Sequence, residues 1–386
     1  MTWHLIDTTL SLRYKIGMNE NYRLQSLDVF RGITIAAMML VNLPGNDFVY
    51  SWIDHSSWNG CTLADLVFPF FIYIVGVSLA LSLSKKMHNG VSTRELYLDI
   101  ARRTVVIFLL GLALNAFPYH FFDGGVRVLG VLQRIALCYF VASALFITYK
   151  PSVQLWIMLL LLIGYWLLMS LMPVPGFGRN NLTPLGNLAT YIDQSILGVK
   201  HLYAGYDPEG LLSTLPAIVT AMMGAMSGLW LLAKPGPRTK TMAMVMVGLL
   251  CLGAGWVWGF WFPINKSLWS SSYVLWTGGW ALLGFAVLYW VVDVKRWQSW
   301  TLPFVIFGRN AIAAYILHVF FLKIQLMIHL PRKNGAPGNV RSYLTEHVFG
   351  GLSLYNASLG YALSSVFFWF IILTLLYKKK IFIRIG

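Results

Sequence analysis

Charge is the scarcest property of this sequence. Asp, Glu, Lys and Arg supply 11% of its 386 residues while apolar residues supply 58%, against about 25% charged in an ordinary soluble domain. A water-soluble globular chain is excluded on that ground, and an integral membrane domain is the natural reading. Cysteine is rarer still. Cys61, Cys138 and Cys251 are odd in number, widely spaced and set in or beside apolar segments, so neither a disulfide framework nor a metal cluster is expected; all three read as small buried hydrophobes. No Gly-rich phosphate loop, HExxH or GxSxG pattern occurs, which removes P-loop nucleotide chemistry, zinc peptidases and the serine-hydrolase elbow. A fixed-period repeat, a low-complexity tract and a heptad run are missing too. The first 23 residues hold Arg13, Lys15 and Arg23 without a continuous apolar core, so no cleavable signal peptide is expected and the first spanning helix directs insertion itself.

What the sequence has in abundance is apolar runs near the roughly 20 residues that cross a bilayer. Ten are read, at 27–45, 62–83, 103–118, 128–149, 152–172, 211–233, 241–262, 270–292, 303–329 and 359–377. The segments joining them alternate in charge. One set carries Arg13, Lys15, Arg23, Lys85, Lys86, Arg94, Arg102, Arg103, Lys150, Lys234, Arg238, Lys240, Lys295, Arg296, Lys378, Lys379, Lys380 and Arg384; the other, poorer in cations, carries Arg127, Arg179, Lys200, Arg332, Lys333 and Arg341. The positive-inside rule puts the first set, with both termini, in the cytoplasm. The formal net charge of +15 is thus a topology signal; with no basic face or binding module, nucleic acid is not an expected partner. The expected fold is all-α, a polytopic helix bundle of about ten transmembrane helices forming one domain over 1–386. Residues 1–22 are its cytoplasmic N-terminal segment, and 173–210 and 330–358 are outer-face loops. The first of these loops is long enough to suggest function, and "NLATYIDQSILG" within it reads as a short interfacial helix.

Polar residues inside such runs are functional candidates, because a charge at a helix centre costs roughly 2.5 to 3.5 kcal/mol on insertion scales. Asp28 and Arg31, three apart, read either as a helix N-terminus with its acid and a paired arginine or as an anchor for an anionic ligand arriving from the cytoplasm. Asn42 closes the first run, Asp65 opens the second, and His55 lies on the link between them with Trp58 and Asn59. All should gather at the outer rim. A neutral histidine held by a carboxylate through one ring nitrogen presents the other as base or nucleophile; the plainer reading is an interfacial histidine capping a helix. Arg134 and Arg309 sit well inside apolar runs, and Asn265, Lys266, Asn310 and His318 add further polar atoms. Arginine's fork of donors suits phosphate and carboxylate, so several buried arginines fit an anionic cofactor; the alternative is pairing with Asp28, Asp65 or helix-end carbonyls. Most of the 16 tryptophans and 19 tyrosines read as interfacial belts.

Six collinear blocks carry a resemblance beyond composition: "RLQSLDVFRGITIAAMMLVNLPG", "HSSWNGCTLADLVFPFFIYIVGVS", "RVLGVLQRIALCYF", "DPEGLLSTLPAI", "PINKSLWSSSYVLWTGG" and "GRNAIAAYILHVF". Together they resemble the heparan-alpha-glucosaminide N-acetyltransferase family of transmembrane acyltransferases. The resemblance implies an enzyme that takes acetyl-CoA from the cytoplasmic side and acetylates a glucosamine-type sugar on the far side, without a metal. The family's histidine block, H-x-x-W-N-G, falls here on His55, Trp58 and Asn59, placing catalysis on His55 and acceptor contacts on Trp58 and Asn59; Asn42 and Asp65 take the assisting positions. Arg31, Arg134, Asn265, Lys266, Arg309, Asn310 and His318 are the candidate CoA contacts. The link from Asn42 to His55 is longer than expected in the lysosomal relative. Expected partners are the lipid bilayer and the amino sugar, with a homodimer allowed for. The expected location is a bacterial cytoplasmic membrane with the active rim facing the periplasm, where the sequons at Asn181, Asn265 and Asn356 carry no glycan. The rival readings are a transporter or flippase of a sugar-linked molecule and an O-acyltransferase of a cell-surface glycan.

Overall fold

The computed structural model describes residues 24–118 and 125–383. The expected segment at 1–22, and the cations Arg13, Lys15, Arg23 and Arg384, lie outside the described residues. The described chain is mostly helical: α1 (Gln25–Asn42), α2 (Leu63–His88), α3 (Thr93–Ala116), α4 (Val131–Thr148), α5 (Pro151–Leu171), α6 (Leu188–Leu197), α7 (Thr214–Leu232), α8 (Pro237–Trp258), α9 (Ser271–Leu288, continued by a wide turn over Tyr289–Val294), α10 (Leu302–Arg309), α11 (Ala311–Met327), α12 (Val340–Phe349) and α13 (Leu354–Lys378). A two-stranded antiparallel ribbon, β1 (His329–Pro331) with β2 (Pro337–Asn339), leads into α12.

Nine of the ten apolar runs lie on one helix each, and the run at 303–329 covers both α10 and α11. Seven helices are long and apolar enough to cross a membrane: α2, α4, α5, α7, α8, α9 with its extension, and α13. An eighth is reached if α10 and α11, bent by 78° at their junction, form one span. The runs at 27–45 and 103–118 are helical as α1 and α3, but the first carries Asp28 and Arg31 and the second opens with Arg94, Glu95, Asp99, Arg102 and Arg103. The chain is therefore an integral membrane protein with seven or eight clear spans among the described residues. The cysteines differ from expectation: Cys138 is buried, whereas Cys61 and Cys251 are only partly so.

The helices fall into two compact units, one built on Ile72–Trp290 and the other on Gln25–Phe71 with Val291–Arg384. In the first, α2 and α7 meet backbone to backbone: a Cβ on Gly76 would stand 1.9 Å from the Ala221 carbonyl oxygen, and one on Gly224 would stand 2.0 Å from that of Tyr73. Small residues permit this approach, which in lipid replaces the hydrophobic driving force as the source of helix association. Two of the unit's hydroxyls bond backbone carbonyls of neighbouring segments. The Tyr165 hydroxyl donates to Leu268 O at 2.6 Å and Ser271 to Leu162 O at 2.7 Å.

The second unit pairs α1 with α10 in the same way, Gly32 lying against the Phe304 carbonyl and Gly308 against that of Asp28. The N-terminus of α1 is closed by Asp293, whose carboxylate accepts from the Gln25 and Ser26 amides at 3.1 Å each, satisfying donors that every helix start leaves open. Ile35, Met39, Phe307, Ala314, Trp369 and Leu373 form its core. The residues after α1 are tied down at the outer end: Gly45 donates to Ser358 O, Thr345 donates to Gly45 O, and Asn46 donates to Leu354 O.

Candidate active site

The second helix starts with a capping arrangement that also builds the site. Thr62 precedes α2, and Asp65, in its first turn, reaches back so that its Oδ2 accepts from the Thr62 amide at 3.1 Å. This is one half of a capping box, with an aspartate in place of the usual glutamate, and the helix dipole favours the negative charge there. The same oxygen accepts from the Ser56 amide at 3.0 Å. The other, Oδ1, lies 2.7 Å from His55 Nδ1. Asp65 is 1% exposed, whereas the His55 side chain is 43% exposed.

The consequence is a defined tautomer. A carboxylate already accepting two backbone amides is an acceptor, so His55 Nδ1 carries the proton and donates it, leaving the basic lone pair on Nε2. The chain between the two residues is held for this purpose. Thr62 Oγ1 donates to Asp54 O at 2.6 Å, Ser56 Oγ donates to Gly60 O at 3.3 Å, and Gly60 turns the chain at φ 113°, a value that favours glycine. Trp58, half-buried, and Asn59, exposed, lie on the same loop. Asn42, the last residue of α1, is exposed and makes no hydrogen bond to the pair among the described residues.

The candidate CoA contacts are distributed over both units. Arg31 pairs with Asp28 at 3.4 Å on the α1 surface and stays partly exposed. The Arg309 guanidinium lies over the rings of Tyr377 and Phe382, at 5.2 and 5.3 Å. Asn310, at the α10–α11 break, is fully buried and fastens the C-terminal segment, donating to Ile381 O at 3.2 Å and accepting from the Ile383 amide at 3.0 Å. His318 is buried on α11 with Nδ1 2.9 Å from Ala314 O, and its Nε2 has no partner. In the other unit, Asn265 is buried and accepts from the Leu268 amide at 2.8 Å, closing the turn before α9, and Lys266 is half-buried beside it. Arg134 is fully buried. It donates to Pro208 O, Gly210 O and Ser213 Oγ and stacks over Trp269 at 5.0 Å. Arg134, Asn265 and Asn310 therefore hold irregular backbone that bilayer or core would otherwise leave unsatisfied.

Sequence reading missed a second ionic cluster. Arg127, just before α4, binds Asp207 through two bonds, at 2.8 and 2.5 Å, and also reaches Glu209. Burial works to lower the Arg127 pKa, but the two carboxylates outweigh it and raise it. Nearby, Asp193 of α6 is 1% exposed and accepts from the Leu211 amide at 2.8 Å; burial pushes its pKa up to about 6. The signal was present in "DPEG", two acids beside a proline and a glycine, but acids and arginine lie about 80 residues apart. No group of three or more His, Cys, Asp or Glu residues placed to hold a metal occurs among the described residues.

Residues 23–196, which include His55 and Asp65, match the family model described as heparan-alpha-glucosaminide N-acetyltransferase, catalytic. Similarity to curated proteins of that description extends over most of the chain. It is 33% identical over 420 aligned positions to the heparan-alpha-glucosaminide N-acetyltransferase of Homo sapiens and 31% identical over 424 to that of Mus musculus, with 94% of this chain covered in each case. The chain spans about 60% of the length of these curated relatives. The resemblance carried by the H-x-x-W-N-G block is thus matched by similarity along the whole described bundle, and the block itself is the part folded around Asp65.

Proposed function

We propose that the chain is a membrane N-acetyltransferase that moves the acetyl group of cytoplasmic acetyl-CoA to the amine of a glucosamine-type sugar on the opposite face, with ten spans and both termini inside. The observation that carries this reading is the His55–Asp65 pair, 2.7 Å apart, on residues that match the catalytic family model. Acetyl-CoA supplies an activated thioester; the protein must deliver an uncharged amine to its carbonyl carbon. His55 Nε2, with its lone pair fixed by Asp65, takes the proton released as the C–N bond forms and the C–S bond breaks, while Asp65 stabilises the imidazolium. If the acetyl group first rests on the same nitrogen, a burst of CoA release in the absence of sugar reveals it. Asn42 stands for the amide that polarises the carbonyl oxygen, and Arg31 and Arg309 are the cations with which CoA phosphates would pair. Trp58 and Asn59 face the acceptor in this scheme.

The test is transfer from radiolabelled acetyl-CoA to glucosamine by the protein purified in detergent. His55→Ala should lower turnover by about 10²- to 10⁴-fold, the usual yield of one positioned acid–base group, while CoA still binds. Unchanged transfer by the variant would overturn the role of His55, and no transfer to any amino sugar would overturn the function. The 78° break between α10 and α11 also suits a transporter, whose discontinuous helices come in corresponding pairs in two repeats; only this one broken pair occurs among the described residues, which favours the enzyme. Product analysis, amide against ester, separates N- from O-acylation.

A further inference from the structure

The link between α1 and α2 carries an aromatic shelf that the catalytic pair does not use. Tyr50 lies at the centre, its ring stacked with Trp52 at 6.4 Å and tilted against Tyr355 at 5.3 Å, while Phe48 meets Tyr355 edge-on at 5.7 Å. Trp52, Phe48 and Tyr355 are 52%, 45% and 44% exposed. The shelf is braced from beneath: the Tyr50 hydroxyl donates to Asn356 at 2.7 Å, and a groove lined by Pro44, Val49, Ile53 and Leu359 runs alongside. Amides of Ile53 and Asp54 both donate to Tyr50 O, so the shelf lies one turn of chain before His55.

Its charge is unusual for this molecule. No lysine or arginine occurs between Arg31 and Lys85 in a chain of net charge +15, and the link exposes Asp47 and Asp54 beside the aromatic rings. Arg341 is engaged with the backbone of the link, its guanidinium 3.5 Å from Pro44 O. Interfacial aromatics anchor in lipid head groups, but recognition of anionic lipid uses Lys and Arg, and here the flanking charges are of the opposite sign. Flat aromatic faces accept the apolar face of a pyranose ring, and they attract ammonium groups. Two carboxylates beside them favour the same cation.

We propose that Phe48, Tyr50, Trp52 and Tyr355 form an acceptor subsite that holds further sugar rings of a cationic glucosamine oligosaccharide, and that the subsite disfavours sulfated glycans. The proposal rests on the acetyltransferase reading for its acceptor class. Its test is binding of a glucosamine tetrasaccharide to full-length His55→Ala protein, by calorimetry in detergent. Trp52→Ala in that background should weaken binding at least tenfold and Trp52→Phe should restore most of it, while Trp256→Ala, which removes an exposed tryptophan of α8, should change nothing. A sulfated tetrasaccharide should bind at least tenfold more weakly. Equal losses from Trp52→Ala and Trp256→Ala, preference for the sulfated sugar, or no tetrasaccharide binding would each overturn the subsite. Acetylation of free glucosamine by the unaltered protein, run in parallel, keeps the readings apart: transfer without Trp52-dependent binding removes the subsite alone, and absence of transfer removes the acetyltransferase.

Discussion

Two carboxylates define the residue scale, and they are set in opposite ways. Asp65 is surrounded by donors and placed at a helix N-terminus, so it is held as an anion that orients His55. Asp65→Asn keeps the volume and loses the charge; turnover should fall by about 10²- to 10⁴-fold with CoA affinity little changed, because an amide can present its NH₂ to the ring and stabilise the wrong tautomer. Steady-state kinetics with a CoA-binding control checks this. Asp193 is buried with one backbone donor, and its pKa rises to about 6 from an unfolded value near 3.9. The folded chain thus binds the proton more tightly than the unfolded chain, so its ionisation costs stability as pH rises from about 4 through 6, a cost fully present at neutral pH and absent in acid. Asp193→Asn should unfold at a higher temperature than the parent at pH 7.5, with the gain shrinking toward pH 4. A pH series of thermal unfolding in detergent decides it.

Elements were the level best read from sequence. Apolar runs of bilayer length marked all ten long helical stretches, and "NLATYIDQSILG" marked α6, capped by Asn187, because hydrophobic length and capping residues are local properties. The ribbon and α12 within 330–358 went unread: their apolar content is low, and the capping box of Asn339 with Ser342 is short. What local pattern could not show was which small residues meet. Gly32 and Gly164 look alike in sequence, yet a Cβ on Gly32 would stand 1.8 Å from Phe304 O, and one on Gly164 would meet nothing within 4 Å. Gly32→Ala should therefore destabilise by about 1 to 3 kcal/mol or more, whereas Gly164→Ala should be neutral or slightly stabilising through helix propensity. Intrinsic-fluorescence melts of both variants test the contrast. The same limit applies to the site. The His55–Asp65 pair was legible because ten residues separate them across one turn, but the tasks of Arg134, Asn265 and Asn310 were not, since their partners are carbonyls that sequence does not distinguish.

At the scale of the whole molecule, the excess of cations on one set of connecting segments predicts, by the positive-inside rule, the orientation that the proposed function requires. With native cysteines replaced, Leu185→Cys should react with a membrane-impermeant maleimide in intact cells, and Thr239→Cys should react only after permeabilisation. Labelling of both from one side would remove the ten-span topology. Similarity to the curated relatives extends over 94% of the chain, so the likeness involves the bundle as a whole and not the histidine block alone.

The cap at the start of α2 gives the protein a single point of failure. The amides of Ser56 and Thr62 and the imidazole of His55 all close on Asp65, so fraying of one helical turn disarms the histidine before any span unfolds. Hydrogen exchange makes this visible. On warming, the Ser56 and Thr62 amide protons should lose protection in step with the proposed acetyl transfer and well ahead of amides in α7, and the site would then fail by local melting while the membrane bundle remains intact.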